Sequence, residues 1–303
     1  MDSKFWHPRY WLVWFGIGVL KLLTLLPWKV QIWLGSKLGL LMFYLLKNRR
    51  FIACVNLELA FPELKSEQHK LLIRKHFISL GISVFDTAFA WWGSNKRLKC
   101  LREIEGFEHL LAAQKQNKGI ILLSTHTTSL ELGPRLLAMH SPLHAVYRPH
   151  QNELFDLVVK NIRTKNYGKT ISRNNIREMI RSLKNGDMVW YAQDQSPNNK
   201  NTVIAPFFNI PTATNSSTSK IANLGNALIV PFFTFREENG YRLIFLPTLE
   251  QFPNENHEND AEVINSLIEK QIRTHPDQYL WVHKRFKDLP NGENRYAVYN
   301  SVK

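Results

Sequence analysis

Cysteine is nearly absent. The 303 residues hold only Cys54 and Cys100, in neither a CxxC nor a zinc-type spacing, which argues against a disulfide framework and suits a reducing compartment. Acidic residues are also short, 25 Asp and Glu against 39 Lys and Arg, for a formal net charge of +14. Such an excess calls for anionic partners: nucleic acid, acidic lipid surfaces or phosphorylated molecules. The chain has no internal repeat, no low-complexity stretch and no nucleic-acid-binding motif, and this disfavours the first of the three. No small-residue cleavage site follows the first apolar run, as a signal peptide would require, and no Ser or Cys sits in a GxSxG elbow. What the chain does have is apolar: 44% hydrophobic residues, enough for a full core, and nine Trp concentrated toward the start.

Tyr10 to Trp28 is almost wholly apolar, with Lys21 as its one interior charge, and its length approaches a bilayer span. Trp6, Tyr10, Trp11, Trp14 and Trp28 gather at its two ends like an aromatic belt. Gln31 to Leu46 reads as a second apolar helix, ending in the basic run Lys47, Arg49, Arg50, a pattern suited to the headgroup layer. Residues 1–50 are therefore expected to be a membrane-anchoring helical segment, spanning the bilayer or lying in its interface. Ser66 to Trp92 carries a long helical stripe that ends at Gly93.

From Arg102 onward, short apolar runs alternate with helical stretches, so residues 51–303 are expected to form an α/β domain. The predicted architecture is a mixed, largely parallel central sheet flanked by helices. Expected strands are Gly119 to Thr125, Leu143 to Tyr147, Met188 to Ala192, Leu228 to Phe235 and Tyr241 to Leu246, the last two forming a hairpin. Ser172 to Gly186 reads as a helix whose Arg173, Arg177, Arg181 and Lys184 form a cationic stripe, either a solvated face or a surface for anionic lipid or an acidic protein. Ala205 to Lys220 reads as a small, hydroxyl-rich loop before a helix, with Pro206, Phe207 and Phe208 either lining an acyl slot or packed in the core. Trp281, His283 and Arg285 alternate as strand positions would.

The stretch Gly119 to Gly133 holds the most pointed chemistry. A buried strand ends near His126, and Glu131 follows in the first turn of the next helix. On one continuous helix these two would point about 140° apart, so they meet only across a turn. There the carboxylate is expected to hold one imidazole nitrogen while the other takes a proton from a hydroxyl. Other strand ends bring Arg148, restrained by Pro149, and Asp194 toward the same crevice. Arg148 reads as an anion-binding guanidinium or a surface ion pair, and Asp194 as its support, an acceptor from a substrate hydroxyl or a loop cap.

Six segments in order carry a resemblance over essentially the whole chain: NLELAFPE (56–63), HTTSLELG (126–133), YRP (147–149), YAQDQ (191–195), APFFNIPTAT (205–214) and YLWVHKRF (279–286). Together they resemble the late acyltransferases of lipid A biosynthesis, within the lysophospholipid and glycerol-phosphate acyltransferase superfamily. Glu131, within LELG at 130–133, makes the chain most similar to the lauroyl-transferring branch. The chain departs from the family at Gln193, where proline is common.

The resemblance implies a glycerol-phosphate acyltransferase-like fold and transfer of an acyl chain, lauroyl first, from acyl-acyl carrier protein to a 3-hydroxyl on a Kdo-modified tetra-acyl lipid A precursor. It implies His126 as general base, Glu131 as its partner, and Arg148, Asp194 and Arg285 as substrate-binding residues. It implies neither metal nor organic cofactor. Its expected partners are the acidic carrier protein, the anionic glycolipid and inner-membrane lipids, with the active site on the cytoplasmic side. Myristoyl or palmitoleoyl donors, a glycerolipid acceptor and a non-catalytic lipid-binding protein are the alternatives.

Overall fold

A computed structural model describes residues 3–195, 202–254, 256–287 and 294–297. Helices come first: α1 (Trp11–Leu23), α2 (Trp28–Leu45), α3 (Lys47–Ala60), α4 (Ser66–Trp92) and the short α5 (Asn95–Cys100). The α/β part runs β1 (Arg102–Glu105), α6 (Phe107–Gln114), β2 (Ile120–Ser124), α7 (Leu132–Leu137), β3 (His144–Tyr147), α8 (Glu153–Tyr167), β4 (Thr170–Ser172), α9 (Ile176–Lys184) and β5 (Met188–Ala192). It closes with β6 (Thr202–Phe207), β7 (Ile210–Asn215), α10 (Ser217–Gly225), β8 (Leu228–Glu237), β9 (Gly240–Phe245) and α11 (His257–Thr274).

The main sheet has the order β1-β9-β8-β2-β5-β3-β4. Strands β8, β2, β5, β3 and β4 run parallel; β9 turns back antiparallel to β8, and β1 pairs parallel with β9. Strand β2, Ile-Ile-Leu-Leu-Ser, is buried at every position because both faces of the sheet are covered. Ile121 and Leu123 enter a core with α3, α9, α10 and α11, whereas Ile120 and Leu122 enter another with α6, α7 and α8. The 27 residues of α4 cross both, with Phe77 in the first core and Phe89 in the second.

Helix α2 lies directly on α4 through glycines. A Cβ on Gly39 would come within 2.2 Å of the Phe77 carbonyl oxygen, and one on Gly81 within 2.1 Å of the Gly39 nitrogen. Much of the N-terminal segment is therefore packed on the body. Helix α1 has 13 residues, about 20 Å of rise against a bilayer core of about 30 Å. Among the described residues no helix is long and apolar enough to cross a membrane, so the expected spanning helix is not found.

Two further expectations change. Ala205 to Lys220 is no open loop: β6 and β7 pair as a hairpin whose turn residues Phe208 and Asn209 have φ of 53° and 58°, the left-handed geometry of a tight hairpin turn. Phe207 and Phe208 are buried against Phe61, Trp281 and Phe286, which is core packing. Residues 281–285 form no strand. A strand would put Trp281, His283 and Arg285 on one face, but Trp281 and Arg285 are buried while His283 is exposed.

Candidate active site

The register of β2 against β5 builds the centre of the site. Ser124 lies opposite Ala192, so the residues two further along, His126 and Asp194, leave the sheet side by side at the carboxyl ends of neighbouring strands. The imidazole Nδ1 of His126 is 2.5 Å from Asp194 Oδ1. Asp194, 3% exposed, also accepts from Thr125 Oγ1 at 2.7 Å, from the His126 backbone N–H at 3.0 Å and from the Tyr279 phenol. Burial favours the protonated acid, but the facing imidazole and these donors outweigh it and hold the Asp194 carboxyl well below the usual carboxylate range. The same balance works on His126: burial disfavours its charge, while the charge and hydrogen bond of Asp194 prevail and raise its affinity for a proton. Nε2 of His126 makes no hydrogen bond among the described residues, and the side chain keeps 20% of its surface accessible.

The turn that carries His126 is fixed on all sides, which accounts for its run of hydroxyls. Thr127 and Ser129 both donate to the Thr234 carbonyl of β8, and Thr128 pairs with Ser79 of α4 at 2.8 Å. The Thr128 N–H donates to Gln278 O, and the Leu280 N–H donates to His126 O at 2.9 Å. Arg236 ties α4 to β8 beneath this turn, donating from Nε to Asp86 at 3.0 Å and from Nη1 to Ser79 at 3.0 Å.

The expected contact between Glu131 and His126 is not there. Glu131 stands at the N-cap of α7, and the turn directs its carboxylate away from the crevice into the second core. There it ion-pairs with Arg163 and accepts from Trp91 Nε1 at 3.0 Å and the Tyr167 phenol at 2.9 Å. Burial opposes its charge, but Arg163 and the two ring donors overcome this and lower its pKa. Arg163 and Tyr167 are four residues apart on α8 and share a face, a spacing visible in the sequence once their partner is known.

The other predicted residues fall differently again. Arg148 is exposed just past β3, two strands from β2, and makes no hydrogen bond to Asp194, whose described partners are Thr125, His126 and Tyr279. Arg285 is 2% exposed and donates to Ala213 O, Thr214, Asn265 and Tyr279, so it braces the β6–β7 hairpin and the phenol behind Asp194, with no face open to a substrate. Sequence reasoning missed Thr125, Tyr279, Arg163 and Tyr167. None lies near its partner along the chain: Thr125 is 69 residues from Asp194, and Arg163 and Tyr167 are 32 and 36 from Glu131.

As a chemical device the site holds a solvent-accessible imidazole nitrogen whose opposite nitrogen is bound to a buried carboxylate. That arrangement fixes the tautomer, accepts a proton from a hydroxyl and stabilises the resulting imidazolium.

The model of the family described as bacterial lipid A biosynthesis acyltransferase matches residues 1–288. A lipid A biosynthesis palmitoleoyltransferase of Escherichia coli K12 is 39% identical over 300 residues, covering 98% of each chain. A lipid A biosynthesis lauroyltransferase of the same organism is 38% identical over 289 residues, 94% of each. Among solved structures, the 1-acyl-sn-glycerophosphate acyltransferase of Thermotoga maritima superposes with a TM-score of 0.41 at 15% identity, covering 76% of this chain and 96% of that one.

Proposed function

Because the chain belongs to the bacterial lipid A biosynthesis acyltransferases and is an acyltransferase, we propose that it moves a lauroyl group from an acyl-acyl carrier protein thioester to a hydroxyl on an acyl chain of a Kdo-bearing lipid A precursor. The observation that carries this reading is His126, its Nδ1 on Asp194 and its Nε2 open at the sheet's carboxyl edge. Nε2 removes the hydroxyl proton as the oxygen attacks the thioester carbonyl. The tetrahedral intermediate then collapses, the carbon–sulfur bond breaks, and the leaving thiolate takes the proton from the imidazolium. Asp194 stays ionised throughout, orienting the ring and offsetting its positive charge. Glu131 acts one step removed: with Arg163 it anchors the turn that presents His126.

The palmitoleoyl donor is the second reading, favoured by the relative of that name at 39% identity. One methylene in an acyl slot is worth only about 1–3 kcal/mol, so chain preference rests on slot depth.

The reading places the chain on the cytoplasmic face of the inner membrane. Its support is an uncovered apolar surface on α1, α2 and the turn between them: Leu12 and Phe15 of α1 and Leu25 of the turn are 80%, 69% and 74% exposed, and Trp11 and Trp33 are exposed as well. The net charge of +14 suits an anionic leaflet and an acidic donor protein.

The test is transfer from carrier-protein thioesters of twelve, fourteen and sixteen carbons to the tetra-acyl precursor with and without Kdo. The reading expects one preferred chain length and a loss of about 100- to 10,000-fold in His126→Ala. Activity surviving that replacement would refute it.

A further inference from the structure

A second imidazole stands beside the candidate base. The rings of His126 and His283 have centroids 6.4 Å apart, and the backbone around His283 is held in place from α3. Asn56 donates to the carbonyls of Trp281 at 2.6 Å and His283 at 2.7 Å, and Arg49 Nη1 donates to the Val282 carbonyl at 3.2 Å. Arg49 and Asn56 are seven residues apart, two turns of one helix face. One helix thus anchors the segment and brings a guanidinium to the rim of the crevice.

Neither Arg49 nor His283 makes an ion pair among the described residues. Among the described residues the His283 ring makes no hydrogen bond, and Arg49 has no carboxylate partner, its one described bond going to a carbonyl. Partial burial, then the charge of His126, lower the affinity of the His283 ring for a proton; Asp194 works against them and Arg49 adds to them. An incoming anion would reverse that balance. A guanidinium fork and an imidazole converging without an anion form a receptor for a tetrahedral oxyanion. About one turn before Arg49, ahead of Lys47 and Asn48, the chain is apolar and uncovered: Tyr44 and Leu45, at the end of α2, are 63% and 67% exposed. A ligand meeting both surfaces carries acyl chains and a phosphate on one molecule.

We infer that Arg49 and His283 bind a phosphate of the acyl acceptor beside His126, with the end of α2 under its acyl chains. This rests on the proposed transfer to a lipid A precursor and adds where its head is held. Arg148, the sequence's candidate for that role, lies two strands away.

The test compares the bis-phosphorylated acceptor with acceptors lacking one or the other phosphate, in detergent, for the wild type, Arg49→Gln and His283→Gln. Glutamine keeps a donor at each position and removes the charge. Both variants are expected to raise the acceptor KM about tenfold or more, with kcat and the donor KM little changed. On the acceptor lacking the phosphate in question, wild type and variants should converge. Equal losses on every acceptor, or an unchanged KM, would overturn the inference while leaving the transfer reading intact. Weaker binding to phosphatidylglycerol vesicles with no change in acceptor KM would also overturn it, by assigning the pair to bilayer headgroups. No transfer by the wild type would overturn both the inference and the reading beneath it.

Discussion

Asp194 and Glu131 are both buried carboxylates near one turn, and their neighbours give them different work. Asp194 faces a titrating group, His126, whereas Glu131 faces the permanent cation Arg163. Removing the charge of Glu131 leaves Arg163 buried and uncompensated, a defect worth about 3–5 kcal/mol. Glu131→Gln is therefore expected to lower the midpoint of thermal unfolding and activity together, and an unchanged midpoint would show that Arg163 finds another partner. His76 offers a separate prediction. It is fully buried on α4, its Nδ1 donates to Asp277 O at 3.0 Å, and burial lowers its pKa from 6.5 to about 4. Below pH 6.5 the unfolded chain binds a proton that the native state refuses, so stability falls as the pH drops toward 4, by about 1.4 kcal/mol per unit and about 3 kcal/mol in all. His76→Asn, which retains the donor, should flatten that part of the stability–pH curve. An unchanged slope relative to wild type would mean that other groups produce it.

The strands were the most legible elements, because a strand buried on both faces leaves an uninterrupted apolar run. Met188–Ala192 matches its predicted bounds, and Ile120–Ser124 lies one residue inside them at each end. The sequence also brought His126 and Asp194 to strand ends. It did not give the strand order, and it is the adjacency of β2 and β5 that makes Asp194 the partner of His126 in place of the nearer Glu131. Arg285 was misread for a related reason: its bonds reach Ala213 and Asn265, contacts of long range that no spacing reveals. The α2–α4 contact was hidden too, since glycines in an apolar helix read as interruptions when they are points of close approach. Gly39→Ala should force the helices apart at a cost of about 1–3 kcal/mol, measured by thermal unfolding, while Gly18→Ala, whose Cβ meets nothing within 4 Å, should not destabilise. Equal effects would contradict the packing described here.

For the molecule as a whole, the proposed function gives the base, the cationic rim and the uncovered apolar helices one task, drawing an anionic amphiphile from a lipid surface to His126. Leu12→Glu with Phe15→Glu, both exposed, should leave unfolding unchanged and sharply reduce sedimentation with anionic vesicles. Retained binding would move the membrane-facing surface elsewhere. Raising the salt concentration should weaken the same binding, because much of the charge is exposed.

The central claim, that His126 is the base and Asp194 its aligning partner, is tested most directly by the pH dependence of kcat/KM in the wild type, Asp194→Asn and Glu131→Gln. The neutral imidazole is the active form, so the wild-type rate should rise with pH through a His126 pKa lying above 6.5. Asp194→Asn removes the charge that raises it and leaves the burial that lowers it, so its acid limb should move to lower pH while the plateau falls at least about 100-fold. Glu131→Gln should lower the plateau with the limb in place. A limb that moves in Glu131→Gln and stays fixed in Asp194→Asn would contradict the account and restore Glu131 as the partner of the base.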